Sequence, residues 1–363
     1  MRHSRDAATG GPAVSAIAAA WLRRWGPRAV ALTLTGVGLY IVMPSLLTFF
    51  DSWPRLADVD PLWFVLLALL EFGSFAALWW LTRMALEPDP DPALAELPDL
   101  PPPQPSWGSV ATAQLAGNAA SKVVPGGPAA GGVLQGSLLV RDGQPGPIVA
   151  SALAGVGLLT TAVLLLLPVL TVPALLIGPP PDEELQLGLL VSLILAVILV
   201  AMGVAALTWP RSVAVTGLVI GRGIHLVKRS VTPAQVADQL LAQRARVRAV
   251  FSGRWMRAVF AAAANRMFDY AALVAALTAF GAHARPSEVL LAYVVAQALQ
   301  MIPLTPGGLG FVESGLTALL VVIGVSPDTA VAGTLLYRLV QFWLPIPVGA
   351  LAWAGWRLRT GPA

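Results

Sequence analysis

The sequence predicts an all-α membrane protein: a polytopic helical bundle with two re-entrant helical hairpins in an inverted repeat. Three observations predict it. Of 363 residues, 56% are hydrophobic and only 12% charged, with a mean hydropathy of +0.74; globular chains carry about a quarter charged residues. Several apolar windows reach the roughly 20 residues that cross a hydrocarbon core. Finally, Pro-Gly-Gly interrupts apolar segments twice, at Pro125, Gly126 and Gly127 and at Pro306, Gly307 and Gly308, about half a chain length apart. A broken helix frees backbone groups that lipid tolerates only where protein or water satisfies them, so each break reads as a buried feature.

Taken in order, residues 1–28 read as a cytoplasmic leader, with Arg on both flanks of an Ala-rich run and no cleavage site. The first repeat is 29–178. Its first span, 29–50, follows five Arg, which places the N-terminus in the cytoplasm and the next loop outside. A second span, 61–86, holds Glu71, read as a lone charge that is protonated and inert, and ends at Trp79, Trp80 and Arg83, an interfacial belt. The linker 87–106 is rich in Pro and acids, which excludes a helix. Its Asp89 and Asp91 match the DxD pattern of some glycosyltransferases, with plain solvation as the simpler reading. Residues 107–141, too Gly-rich for one clean span, suit two half-length helices around the first break, starting and ending in the cytoplasm. A span at 148–178 then leads outward.

The second repeat, 179–357, returns through 185–209 to a basic linker, 210–254, with eight Lys or Arg against one acid, Asp238. That is the strongest cytoplasmic signal in the chain. Thr232 and Pro233 predict a helix start, and Val236, Leu240 and Val247 give it an apolar face for the anionic inner leaflet or for the domain itself. A span at 255–281 runs outward, a hairpin at 289–324 starts and ends outside, and a last span at 329–356 leads to the cytoplasmic tail 358–363. Charge counting alone thus gives the hairpins opposite orientations. Inverted repeats with paired broken segments point to a transporter with its site near the midplane, where half-helix N-termini face an anion such as phosphate.

Charges within spans cost about 2.5–3.5 kcal/mol on insertion scales and are functional candidates by default. Arg266 and Asp269 stand three apart on one helix face and can pair with each other, either in the substrate pathway or as a self-neutralising pair that fixes packing. Arg338, Gln341 and Tyr337 cluster in the last span, with Glu313 or a lipid phosphate as the partner of Arg338. Glu313 also suits the dipole of its own helix start. Lys122 and Asn118 precede the first break, Lys122 either binding a headgroup phosphate or snorkelling to the interface. The chain has no Cys, and His3, His225 and His283 are scattered, so no metal site and no cofactor are expected.

The Pro-Gly-Gly hairpin followed by LGFVESGLTALL and a final span containing Tyr337 and Arg338 resembles the lysylphosphatidylglycerol synthase transmembrane-region family, the flippase-like domain of multiple-peptide-resistance-factor proteins. The likeness spans about 28–357. Members typically carry an Arg and a Glu around the first Pro-Gly; here Gly127 and the following PAAGG replace them, which shifts weight to Lys122. The resemblance implies the lipid-translocating part without the aminoacyl-transferring domain, and no nucleotide-binding Gly-rich loop is present.

These readings converge on a non-enzymatic flippase for an anionic phospholipid or glycolipid headgroup in the cell (plasma or inner) membrane, with both termini cytoplasmic. Its partners are membrane lipids rather than nucleic acid, with a lipid-modifying enzyme or a second copy of the chain as further candidates. The alternatives are a membrane-embedded glycosyl or aminoacyl transferase using Asp89 and Asp91, and a scaffold subunit docking a lipid-modifying enzyme through 210–254.

Overall fold

The computed structural model describes residues 59–87, 104–124, 127–171, 201, 209–227, 232–250, 253–300 and 308–361. The leader, the expected span 29–50, nearly all of 185–209, Asp89 and Asp91, and Pro125, Gly126, Pro306 and Gly307 lie outside the described residues. Every regular element among the described residues is helical.

Helix α1 (Pro61–Leu86) begins where the sequence signals it, with the Asp60 side chain accepting from the Leu62 N–H at 2.9 Å and Pro61 at the first turn. At about 39 Å it is long enough to cross a bilayer. Leu62, Leu69 and Phe72 stay exposed along it, as lipid-facing residues do. Two short helices follow, α2 (Trp107–Val123) and α3 (Gly127–Arg141), folded against each other. Glycine allows the contact: a methyl on Gly117 would lie 2.8 Å from the Gly131 carbonyl oxygen, and one on Gly131 only 2.4 Å from that of Gly117. Close backbone approach through small residues is the usual way helices associate in lipid. Helix α4 (Gly146–Leu166) runs into a 3₁₀ turn, Leu167–Thr171.

The basic stretch is more structured than a linker. It forms α5 (Pro210–Val227) and α6 (Pro233–Val250), packed together. The start of α6 is a reciprocal cap, with the Gln235 N–H donating to Thr232 Oγ1 and the Thr232 N–H to Gln235 Oε1. Val236 and Ala237 are buried, and Gly217 and Gly221 of α5 lie so close to Ala237 and Pro233 that a methyl on either would come within 2.5 Å of their Cα atoms. Val236 and Ala237, at the start of α6, are therefore packed against α5.

Helix α7 (Trp255–Ala279) pairs with α1, and Asn265 Nδ2 donates to the Ser74 carbonyl at 3.1 Å and to its hydroxyl at 2.9 Å. Then come α8 (Pro286–Gln300), α9 (Phe311–Val322) and α10 (Pro327–Arg338). The expected last span is present and continuous, built from α10, a π-helical segment (Leu339–Trp343) and α11 (Pro345–Thr360). Pro345 and Pro347 lack the N–H groups that would continue the ladder, and the Leu344 N–H reaches back to the Leu339 carbonyl, an i to i+5 step. Helix α11 packs on α2, where a methyl on Gly349 would sit 2.2 Å from the Leu115 carbonyl oxygen.

The apolar core has two lobes. One gathers Leu67 of α1, Leu164 of α4 and Leu273 of α7 with α8, α9 and α10; the other gathers Leu81, Val156 and Ala262 of the same three helices with α2 and α3. Between the lobes, α1, α4 and α7 place Glu71, Ser74, Thr160, Asn265, Arg266 and Asp269. A polar layer thus crosses the middle of the shared helices.

Candidate functional site

Asp269 is at the centre of this layer, 6% exposed. Its Oδ2 accepts from the Tyr293 hydroxyl at 2.8 Å and Gln297 Nε2 at 2.7 Å, and its Oδ1 from the Tyr337 hydroxyl at 2.8 Å. Helices α8 and α10 are therefore both tied to α7 through one carboxylate. The expected Arg266 to Asp269 pair gives way to this arrangement: Arg266 Nε points across to the Thr160 carbonyl at 3.4 Å. Helical spacing put the two residues near one face, but tertiary donors from α8 and α10 took the carboxylate.

Next to Tyr337 in the chain, Arg338 is 2% exposed and its Nε donates to Glu313 Oε1 at 2.7 Å. The other Glu313 oxygen accepts from the Gly310 N–H at 2.7 Å, just after Gly308 and Gly310 with φ of +73° and +79°. Glu313 thus stabilises the start of α9 and neutralises Arg338 together, so its two expected roles coexist. Arg338 Nη1 also donates to Gln341 Oε1 at 3.3 Å, and its guanidinium lies 4.3 Å above the Phe342 ring.

Lys122 meets the same ring from α2, its Nζ 5.3 Å from the Phe342 centroid. It does not snorkel: at 7% exposed it is buried, and Nζ donates to the Gln341 carbonyl at 2.6 Å. That carbonyl is free because its i+4 partner is Pro345, which has no N–H. Among the described residues Lys122 has no ion pair within 4 Å. Asn118, one turn earlier, has a buried Oδ1 without a hydrogen-bond partner. Two cations from opposite halves of the chain thus converge on one aromatic ring, one neutralised and one held by a neutral oxygen.

A cavity of about 10 Å³ lies among Tyr293, Gln297, Tyr337, Arg338 and Gln341, room for about one water. Of the break residues, Gly127 (φ +52°) opens α3 and Gly308 precedes α9. Sequence reasoning missed Tyr293 and Gln297, although their four-residue spacing on α8 marks a polar stripe, and it read Glu71 as lone, whereas Asp269 and Lys122 are its charged neighbours.

Spans of sufficient length and apolarity, Pro61–Leu86, Gly146–Val169 and Pro327–Thr360, wrapped around buried, interlinked charges define a helical integral membrane protein with a polar interior. The family profile described as the lysylphosphatidylglycerol synthase TM region matches residues 9–349, and the chain belongs to that family. Its similarity to curated proteins is local. A UPF0104 membrane protein of Methanothermobacter thermautotrophicus is 36% identical over 75 residues, 21% of this chain and 22% of the relative. Another, from Pyrococcus horikoshii, is 39% identical over 64 residues, 18% and 19%. The chain thus spans about a fifth of the length of the curated relatives it matches. Family membership ties it to the membrane and to a lipid-related role.

Proposed function

We propose that the chain is a lipid translocase, moving an anionic phospholipid or glycolipid headgroup between leaflets through the polar layer, and is not itself an enzyme. The observation that carries this reading is Lys122. A buried ammonium held by a backbone carbonyl exchanges that neutral acceptor for a phosphate oxygen at a gain, since hydrogen bonds between ionised groups are roughly twice as strong as neutral ones. Asn118 and Gln341 flank it as polar contacts for the rest of the headgroup, while Arg338, with its charge matched by Glu313, holds Gln341 through Nη1. The breaks at Pro125, Gly126 and Gly127 and at Pro306, Gly307 and Gly308 serve as hinges in this reading. Two lobes meeting at one polar layer support alternating access, in which the hairpins part to admit the headgroup from either face.

The protein acts in the cell membrane with both termini cytoplasmic, as its Lys and Arg asymmetry favours. A second copy, or a lipid-modifying enzyme at the α5 and α6 pair, is compatible with this cycle. Reconstitution into vesicles with headgroup-labelled phosphatidylglycerol tests it. Wild type should exchange label between leaflets well above empty vesicles, and Lys122→Met should lose that excess while melting at or above the wild-type temperature, because replacing a buried charge by an apolar chain is often neutral or stabilising. Wild-type exchange no faster than empty vesicles overturns the reading.

A further inference from the structure

Glu71 is the acid that headgroup binding leaves unused. It lies midway along α1, 8% exposed, and its Oε2 has no hydrogen-bond partner. The contrast with its neighbours is chemical. Asp269 accepts three hydrogen bonds and Glu313 is matched by Arg338 and a backbone N–H. A buried polar oxygen without a donor is costly, and for an ionised one the cost is several kcal/mol unless a cation offsets it; Lys122 can do so only until a phosphate claims its ammonium, and taking up a proton then removes the cost. The charged groups facing Glu71 are Asp269 from α7 and Lys122 from α2, together with the phenol of Tyr337 on α10. Helix α4 and the π segment, which also pack on α1, contain no titratable residue, and Arg266 of α7 donates to the Thr160 carbonyl.

We infer that Glu71 is a proton-binding site coupled to headgroup occupancy, ionised while Lys122 is empty and protonated while Lys122 holds a phosphate. This rests on the translocase reading and adds its energy source. An ionised Glu71 is the counter-charge of Lys122. When a proton from bulk water binds the Glu71 carboxylate, one O–H bond forms, a negative charge beside Lys122 disappears, and the ammonium is left to an anion. Linkage makes the effect reciprocal: a headgroup phosphate raises proton affinity by the factor with which the proton raises phosphate affinity. One headgroup charge and one proton then cross together and neutralise each other, and release to water on the far side breaks the same O–H bond. A proton gradient can therefore drive lipid movement without nucleotide.

The test uses the full chain in vesicles of phosphatidylcholine and headgroup-labelled phosphatidylglycerol with an entrapped pH dye. An imposed pH gradient should accelerate wild-type exchange by about tenfold, within the usual range of coupling between two sites, and the dye should report proton movement only when the anionic lipid is present. Glu71→Gln should abolish both gradient dependence and lipid-linked proton movement. Wild-type exchange that ignores the gradient, or lipid-linked proton movement that survives in Glu71→Gln, overturns the coupling and leaves the translocase reading standing. Absence of wild-type exchange sinks both. Should Glu71→Gln fail to fold, Glu71→Asp keeps the titratable group: a displaced pH midpoint of exchange supports the coupling, and an unmoved one overturns it.

Discussion

The arms of the first hairpin, α2 and α3, are held by glycine and neutral amides, whereas those of the second, α8 and α9, are tied in by charge. Between α2 and α3 the contacts include Gly117 on Gly131 and the Gln135 amide donating to Gln114 Oε1 at 2.7 Å, with one carboxylate just past α3, Asp142, accepting from the Ser109 hydroxyl. At the second hairpin, Gln297 and Tyr293 hold the Asp269 carboxylate and Glu313 holds Arg338. Small-residue contacts rely on van der Waals packing and can slide. Buried ion pairs do not slide, because separating them strands a charge at a cost of about 3–5 kcal/mol. In the proposed translocase the difference would give the two helix pairs unlike parts, the second as anchor and the first, whose buried cation borrows a carbonyl, as the moving piece.

The largest way to break this contrast is at the anchor. Arg338→Ala leaves Glu313 without its counter-charge and should lower stability by about 3–5 kcal/mol, read as a melting shift of several degrees in detergent. Adding Glu313→Gln should recover part of the loss, since the stranded charge is then gone. A single variant that melts with wild type would show that the second hairpin is not held by charge.

A smaller effect is expected where the first hairpin meets α11. Gly349→Val pushes a side chain against the Leu115 carbonyl, a backbone atom that cannot rotate away, and overpacking of this kind costs about 1–3 kcal/mol. Gly132→Ala is the matched control, because a methyl there meets nothing within 4 Å. Equal melting of the two variants would remove the case for close packing as the first hairpin's restraint.

What could be read from the sequence divides along the same line. Local signals were legible. The span expected at 61–86 is α1, Thr232 and Pro233 marked the start of α6, and the glycine-rich 107–141 holds two short helices. Which charge meets which was not. Helical spacing favoured Arg266 for Asp269, yet the donors come from α8 and α10, 24 to 68 residues further on. Glu71 looked lone because Lys122 lies on another helix. Lys122 itself finds its acceptor 219 residues away, through a carbonyl exposed by Pro345. That last step was half-visible, since two prolines in one span announce a fault in its ladder but not what fills it.

The smallest effect tests that fault. Pro345→Ala restores an N–H at the position from which an α-helix would serve the Gln341 carbonyl, so a backbone donor then competes with Lys122. If the carbonyl is what holds the first hairpin to the last span, losing its undivided use should weaken the link by about 1 kcal/mol, or roughly fivefold in local opening. Global stability should hardly change, because removing a proline from a helix interior offsets the lost contact. Hydrogen exchange at the amides of Lys122, Val123 and Val124, the last turn of α2, should quicken by that factor while the amides of α9 stay as they were. Quickening in α9 instead would mean that the anchor and the moving arm have been assigned the wrong way round, and unchanged exchange in both would mean that the carbonyl is only a resting place for Lys122 and not a latch.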